Sequence, residues 1–152
     1  METKRLFIEA MDKDDRYELY QYYKQEACFT YLSIDVIKDI NDMDDLYEQL
    51  YANEEAYCLY LKTSDVLIGD VSFYMEDQRL YLYYILDPKY WHQGYMFEAL
   101  QLLLKNKKNI YAKVMHEHKR SITLLKKLGF THVDEIQDKN KVIDVFELRK
   151  EG

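Results

Sequence analysis

Residues 80–115 change hydrophobic period twice, and that change constrains the fold more tightly than any other stretch of the chain. Residues 80–86 are an apolar and aromatic run of strand length that stops at Asp87 and Pro88. After Gly94, the residues Met96, Ala99, Leu100 and Leu103 fall at i, i+3, i+4 and i+7 on one helical face, and Lys105, Lys107 and Lys108 suit the negative end of that helix. Residues 109–115 return to a strand pattern. Strand, helix and strand within about 35 residues form a βαβ unit, so the two strands are expected to be parallel with a right-handed crossover.

With four Gly and one Pro in 152 residues, every remaining break carries information. Residues 5–11 read as a first strand, and Asp15 with Glu18 three positions on is a capping-box pattern for a helix ending near Gln25. Ser33 can cap a second helical segment, in which Ile34, Ile37, Ile40, Met43, Leu46, Tyr47 and Leu50 recur at helical spacing with a break near Asn41 and Asp42. Residues 56–62, 66–75 and 80–86 are rich in β-branched and aromatic residues and are separated by polar turns, as an antiparallel meander requires. A helix over 120–128, closed by Gly129 at C′, and strands over 132–136 and 142–148 complete the reading. The expected architecture is α/β (α+β): a mixed, mostly antiparallel twisted sheet of six or seven strands flanked by helices. Its central parallel pair should splay at the C-terminal ends, and residues 1–152 should form one domain.

Composition excludes several classes. No apolar stretch approaches the ~20 residues of a membrane span, and the charged N-terminus does not read as a signal peptide, so a cytoplasmic protein with no membrane partner is expected. Cys28 and Cys58 lack metal or redox spacing and read as buried small hydrophobes, and no metal is expected. A net charge of −7 argues against a nucleic-acid partner. Residues 1–100 hold 21 acidic and 9 basic residues, and residues 101–152 hold 7 and 12, so one half suits cations and the other anions.

The run LDPKYWHQGYMFEAL at residues 86–100 leads a strand through a glycine turn into a helix N-terminus, where unpaired N–H groups and the positive end of the dipole favour a pyrophosphate. Together with SITLLKKLGF at residues 121–130, it resembles the GNAT acetyltransferases, in particular the branch of the ribosomal-protein N-terminal acetyltransferases. The resemblance spans nearly the whole chain. It implies acetyl-CoA as co-substrate, with no metal, an amine acceptor as the second partner, and cofactor contacts from Leu86, His92, Gln93, Gly94, Tyr95, Met96, His118 and Ser121. Four positions depart from the family pattern: Met96 replaces a small residue, His118 an Asn, Tyr81 an acid and Leu125 a tyrosine.

Amide formation needs an amine to lose a proton, a thiolate to gain one, and an N–H group to meet the transient oxyanion. His116 is the candidate base, and Ser121 and Tyr84, with Tyr83 beside it, are candidate donors to the thiolate. Sixteen tyrosines make packing the competing account for each of them, and His116 and His118 compete with surface or phosphate-contacting roles. Trp91 reads as structural support for the turn. The acids of residues 33–55 make a cationic amine or basic peptide the expected acceptor. The alternative is a catalytically weak or inactive acyl-CoA-binding sensor or interaction module on the same fold. Oligomeric state is open, a homodimer included.

Overall fold

The computed structural model describes residues 1–28, 30, 37, 39–53 and 55–150. Its elements run β1 (Leu6–Ala10), α1 (Arg16–Tyr23), α2 (Ile40–Tyr51), β2 (Glu55–Leu61), β3 (Leu67–Glu76) and β4 (Arg79–Leu86). They continue with α3 (Tyr95–Leu103), β5 (Asn109–Met115), α4 (Lys119–Lys127), β6 (Thr131–Asp138) and β7 (Lys141–Arg149). The strands form one seven-stranded sheet in the order β1-β2-β3-β4-β5-β7-β6.

The β3–β4 hairpin turns on Asp77 and Gln78, both at positive φ (50° and 66°), a two-residue turn that matches the twist of its strands. All pairings are antiparallel except β4 with β5, which are parallel and meet at the single register pair Tyr81↔Tyr111. Beyond it the strands diverge, and the expected splay opens the middle of the sheet.

A core lies on each face. On one, Met96, Ala99, Leu100 and Leu103 of α3 and Leu125 of α4 pack with Ile8, Val71, Phe73, Ile110 and Phe146. On the other, Leu19, Tyr22 and Tyr23 of α1 and Met43, Tyr47 and Leu50 of α2 pack with Cys58, Leu67 and Ile85. Each such aliphatic side chain contributes about 1.5–3 kcal/mol on burial, so the two helical layers fix the sheet from both sides and hold its central gap open.

Local starts differ from the sequence reading at two helices. The Asp15 carboxylate makes no side-chain cap to α1; it reaches back to the Asp12 N–H at 2.7 Å, so Glu18 has no capping-box role. The Tyr60 hydroxyl also donates to Asp15 and draws its carboxylate toward β2. At α2, Asp39 accepts from the Asp42 N–H at 2.9 Å, so the expected break is a helix start. The proposed cap Ser33 and the periodic Ile34 lie outside the described residues.

Candidate active site

The Gly94 turn is built by three constraints. Pro88 opens a short 3-10 turn, His92 and Gly94 take positive φ of 64° and 78°, and α3 starts at Tyr95. The first intrahelical bond is Glu98 N–H to the Gly94 carbonyl at 3.0 Å, and no side chain caps the helix. The N–H groups of Tyr95, Met96 and Phe97 therefore have no intrahelical acceptor and carry the positive end of the dipole. They border a cavity of about 320 Å³ lined by Tyr84, Leu86, Trp91, His92, Gly94, Tyr95, Met96, His118, Arg120, Ser121 and Lys127, among others. Gln93, the remaining expected cofactor residue, is exposed beside this opening, its side chain 3.4 Å from the Lys89 carbonyl.

Met96 is buried in the core, so the larger side chain at this position leaves the turn open. Trp91 donates its indole N–H to the Leu86 carbonyl at 2.8 Å, and the Arg120 guanidinium lies 3.7 Å over its ring. The tryptophan thus fixes the end of β4 and presents a cation to the cavity. Of the eight Lys and Arg residues between 105 and 127, Arg120 and Lys127 line this cavity, whereas Lys107 is bound to Glu55. Arg5 was not legible in the sequence: held by Glu98 at 2.8 Å and stacked 4.1 Å over Tyr95, it stands beside Gly94.

A second cavity, about 350 Å³, opens between the splayed strands and α2, lined by Leu46, Gln49, Asn53, Tyr74, Tyr83, Tyr84, Lys113, His118, Ser121 and Leu125 with neighbouring apolar residues. Tyr84, His118 and Ser121 line both cavities and are their common wall. The Tyr84 and Ser121 hydroxyls are hydrogen-bonded to each other. Burial pushes the Tyr84 phenol up to about 12, although the Ser121 bond and Arg120 oppose this, so it keeps its proton at neutral pH. Burial and Arg120 hold the His118 imidazole down at about 4, so it is neutral there.

His116 lines neither cavity. Its Nδ1 is 2.9 Å from Asp144, whose other oxygen is 2.9 Å from His132 Nε2. Burial raises the Asp144 pKa, but the hydrogen bonds from both histidines outweigh it and hold the carboxyl below its usual range. His116, Glu135 and Asp144 bring donor atoms within 4.8 Å of one another, a set able to hold a divalent cation. Cys28 lines the first cavity, but burial pushes its thiol up to about 12 and keeps it protonated.

Tyr81, where the sequence lacks the family acid, is buried and stacked on Tyr74 at 5.5 Å, and Leu125 is fully buried. The acidic run divides by helix face. Leu46, Gln49 and Leu50 of α2, with Asn53 just beyond it, line the second cavity, and at 100° per residue Asp42 shares the helix's arc and Asp45 flanks it. Asp44 points away and pairs with Arg16 at 3.2 Å, and Glu55 is bound to Lys107 and Tyr57. Asp35, Lys38 and Glu54 lie outside the described residues.

Residues 5–131 match the family described as Acetyltransferase (GNAT) domain. An uncharacterized N-acetyltransferase, YnaD of Bacillus subtilis (strain 168), is 26% identical over 135 residues, covering 84% of this chain and 79% of that protein. Among solved structures, a RimL ribosomal L7/L12 alpha-N-protein acetyltransferase in complex with coenzyme A superposes with a TM-score of 0.84 at 16% identity, covering 97% of this chain and 95% of its own. A spermidine N-acetyltransferase from Vibrio cholerae, in complex with CoA and spermine, superposes with a TM-score of 0.79 at 14% identity, covering 94% of each chain.

Proposed function

Since the chain belongs to the GNAT acetyltransferase family, we propose that it transfers an acetyl group from acetyl-CoA to a primary amine carried by a cationic small molecule or peptide. The observation that carries this reading is the common wall: two cavities, one at a helix N-terminus and one at the sheet opening, meet at Tyr84, His118 and Ser121. A thioester entering from the first side and an amine from the second would meet there.

On this reading the N–H groups around Gly94, Tyr95 and Met96, with Arg5, Arg120 and Lys127 nearby, hold the pyrophosphate. Leu86 and His92 border the pantetheine arm, and Tyr84, backed by Ser121, protonates the departing thiolate. The acceptor occupies the second cavity, where Asp42 and Asp45 favour a cation. Residues 1–152 act as one domain, since these contacts draw on residues 5 to 127.

The test is a pair of measurements. Coenzyme A at 100 times its Kd contributes ~2.7 kcal/mol and raises Tm by roughly 5–10 °C, and acetyl-CoA with a polyamine releases free thiol. Gly94→Asp, which sets a carboxylate near the pyrophosphate position, removes both responses. Unchanged melting at millimolar coenzyme A sinks the assignment, while a Tm rise without thiol release across an amine panel leaves an acyl-CoA sensor.

A further inference from the structure

The second cavity contains no carboxylate among its described lining residues, yet an ammonium must lose a proton before it can attack a thioester. His118 is a weak base there, its pKa lowered by burial and Arg120, and His116 is turned to Asp144 outside the cavity. The geometry points to a different destination. We propose, on the basis of the acetyltransferase reading above, that Asp70 is the terminal proton acceptor, reached from the acceptor cavity through the hydroxyls of Tyr83 and Tyr23.

Tyr83 lines the second cavity, and its hydroxyl is 2.8 Å from that of Tyr23. The Tyr23 hydroxyl donates to both Asp70 oxygens, at 3.0 and 3.2 Å, and Tyr22 donates to Asp70 Oδ1 at 2.5 Å. Asp70, in the middle of β3, has no solvent exposure. Among the described residues, the titratable groups that face it are Tyr22 and Tyr23 of α1, Cys28 just beyond α1, Cys58 opposite it on β2, and Tyr83 of β4. Burial holds every one of them protonated and neutral, so none supplies a positive charge.

A buried carboxylate without a counter-charge is costly. Burial, partly offset by the Tyr22 and Tyr23 bonds, raises its pKa to about 7, which is where a proton acceptor for neutral-pH chemistry works best. A purely structural hydrogen-bond hub gains nothing from that value. A relay does, because each hydroxyl both accepts and donates and the chain ends on a group that exchanges a proton near working pH.

The steps balance. One ammonium N–H bond breaks and its proton passes to the Tyr83 oxygen, as the Tyr83 proton moves to Tyr23 and the Tyr23 proton to Asp70. The freed lone pair forms the N–C bond at the thioester carbonyl, and the C–S bond breaks. The thiolate takes the Tyr84 proton, and the second nitrogen proton replaces it. Once the amide has left, Asp70 releases its proton through Tyr23 and Tyr83 to water entering the emptied acceptor cavity. Asp70 never touches substrate, so it acts through Tyr83.

The experiment measures thiol release from acetyl-CoA with spermidine between pH 5 and 9. The wild-type rate should rise through an ionisation near 7 before the amine's own. Asp70→Asn should remove that ionisation and lower kcat about a hundredfold, the lower part of the range for general-base catalysis. Tyr83→Phe, which cuts the path at the cavity wall and leaves the Asp70 cluster in place, should reproduce the fall. Tyr22→Phe, off the path but bonded to Asp70, should retain turnover with the ionisation moved to higher pH. A coenzyme A melting shift in each variant certifies folding and cofactor binding. Wild-type profiles with kcat within twofold in both Asp70→Asn and Tyr83→Phe overturn the relay alone; no turnover by the wild type overturns the relay together with the function on which it rests.

Discussion

A Cβ added at Gly69 would stand 2.7 Å from the Ile85 carbonyl oxygen and 3.0 Å from a Leu86 methyl, because β3 runs close against the end of β4 at this point. Backbone cannot yield cheaply, so any side chain there displaces residues 85 and 86. Leu86 is also the residue whose carbonyl Trp91 grips, and Trp91 in turn carries Arg120, so the displacement reaches the first cavity. Gly69→Ala is therefore expected to cost about 1–3 kcal/mol, the usual range for overpacking, and to weaken coenzyme A binding as well. Urea unfolding and a coenzyme A titration check the two effects. Full stability with normal affinity would show that β4 is free to shift and that the Gly69, Leu86 and Trp91 chain does not position the site.

At the scale of elements, α2 separates two kinds of acid, and charge steering makes them distinguishable. Asp42 and Asp45 sit on or beside the arc that lines the second cavity, whereas Asp44 is paired with Arg16 and Glu48 is exposed on the far side. Exposed charges of this kind are worth roughly 0.2–1 kcal/mol each. Neutralising Asp42 and Asp45 to Asn should thus lower kcat/KM for a polyamine about two- to tenfold and flatten its salt dependence. A neutral amine of similar size should not respond, nor should Asp44→Asn with Glu48→Gln alter the polyamine. Equal effects from the two double variants would leave the acidic run as solvated surface. The helix itself was legible from its apolar spacing, as were the meander, the βαβ unit and the splayed parallel pair, since each is written in local period and in one glycine turn. Ser121 was also named from sequence, through a motif of fixed spacing, and Tyr84 only as one of several candidate hydroxyl donors. Asp70 was not, because its partners Tyr22 and Tyr23 lie 48 and 47 positions away and only the packing of α1 on β3 selects them from sixteen tyrosines. Arg5 escaped for the same reason, as it meets Glu98 across 93 positions.

For the whole molecule, two of the buried carboxylates, Asp144 and Asp70, act on stability in opposite directions. Asp144, held below its usual range by His116 and His132 against its own burial, contributes stability that is present above the unfolded pKa and lost as pH falls through the folded value. Asp70 is the reverse case. Burial raises its pKa from 3.8 to about 7, so the unfolded chain releases this proton first. Folding stability is unaffected below the unfolded pKa, declines as pH rises from there to the folded value, and stays reduced above it. About three units at 1.36 kcal/mol each give a cost of order 4 kcal/mol above pH 7, a large share of the 5–15 kcal/mol that holds a domain together. Asp70→Asn removes the titration, so its stability relative to wild type should climb by that order between pH 4 and 7 and then level, whatever fixed penalty the amide's own hydrogen bonding adds. Urea midpoints at half-unit steps of pH measure this difference directly. A difference that is flat across the range would mean that Asp70 folds with an ordinary carboxylate pKa, and the molecule would then carry no stability cost at the centre of its sheet for function to explain.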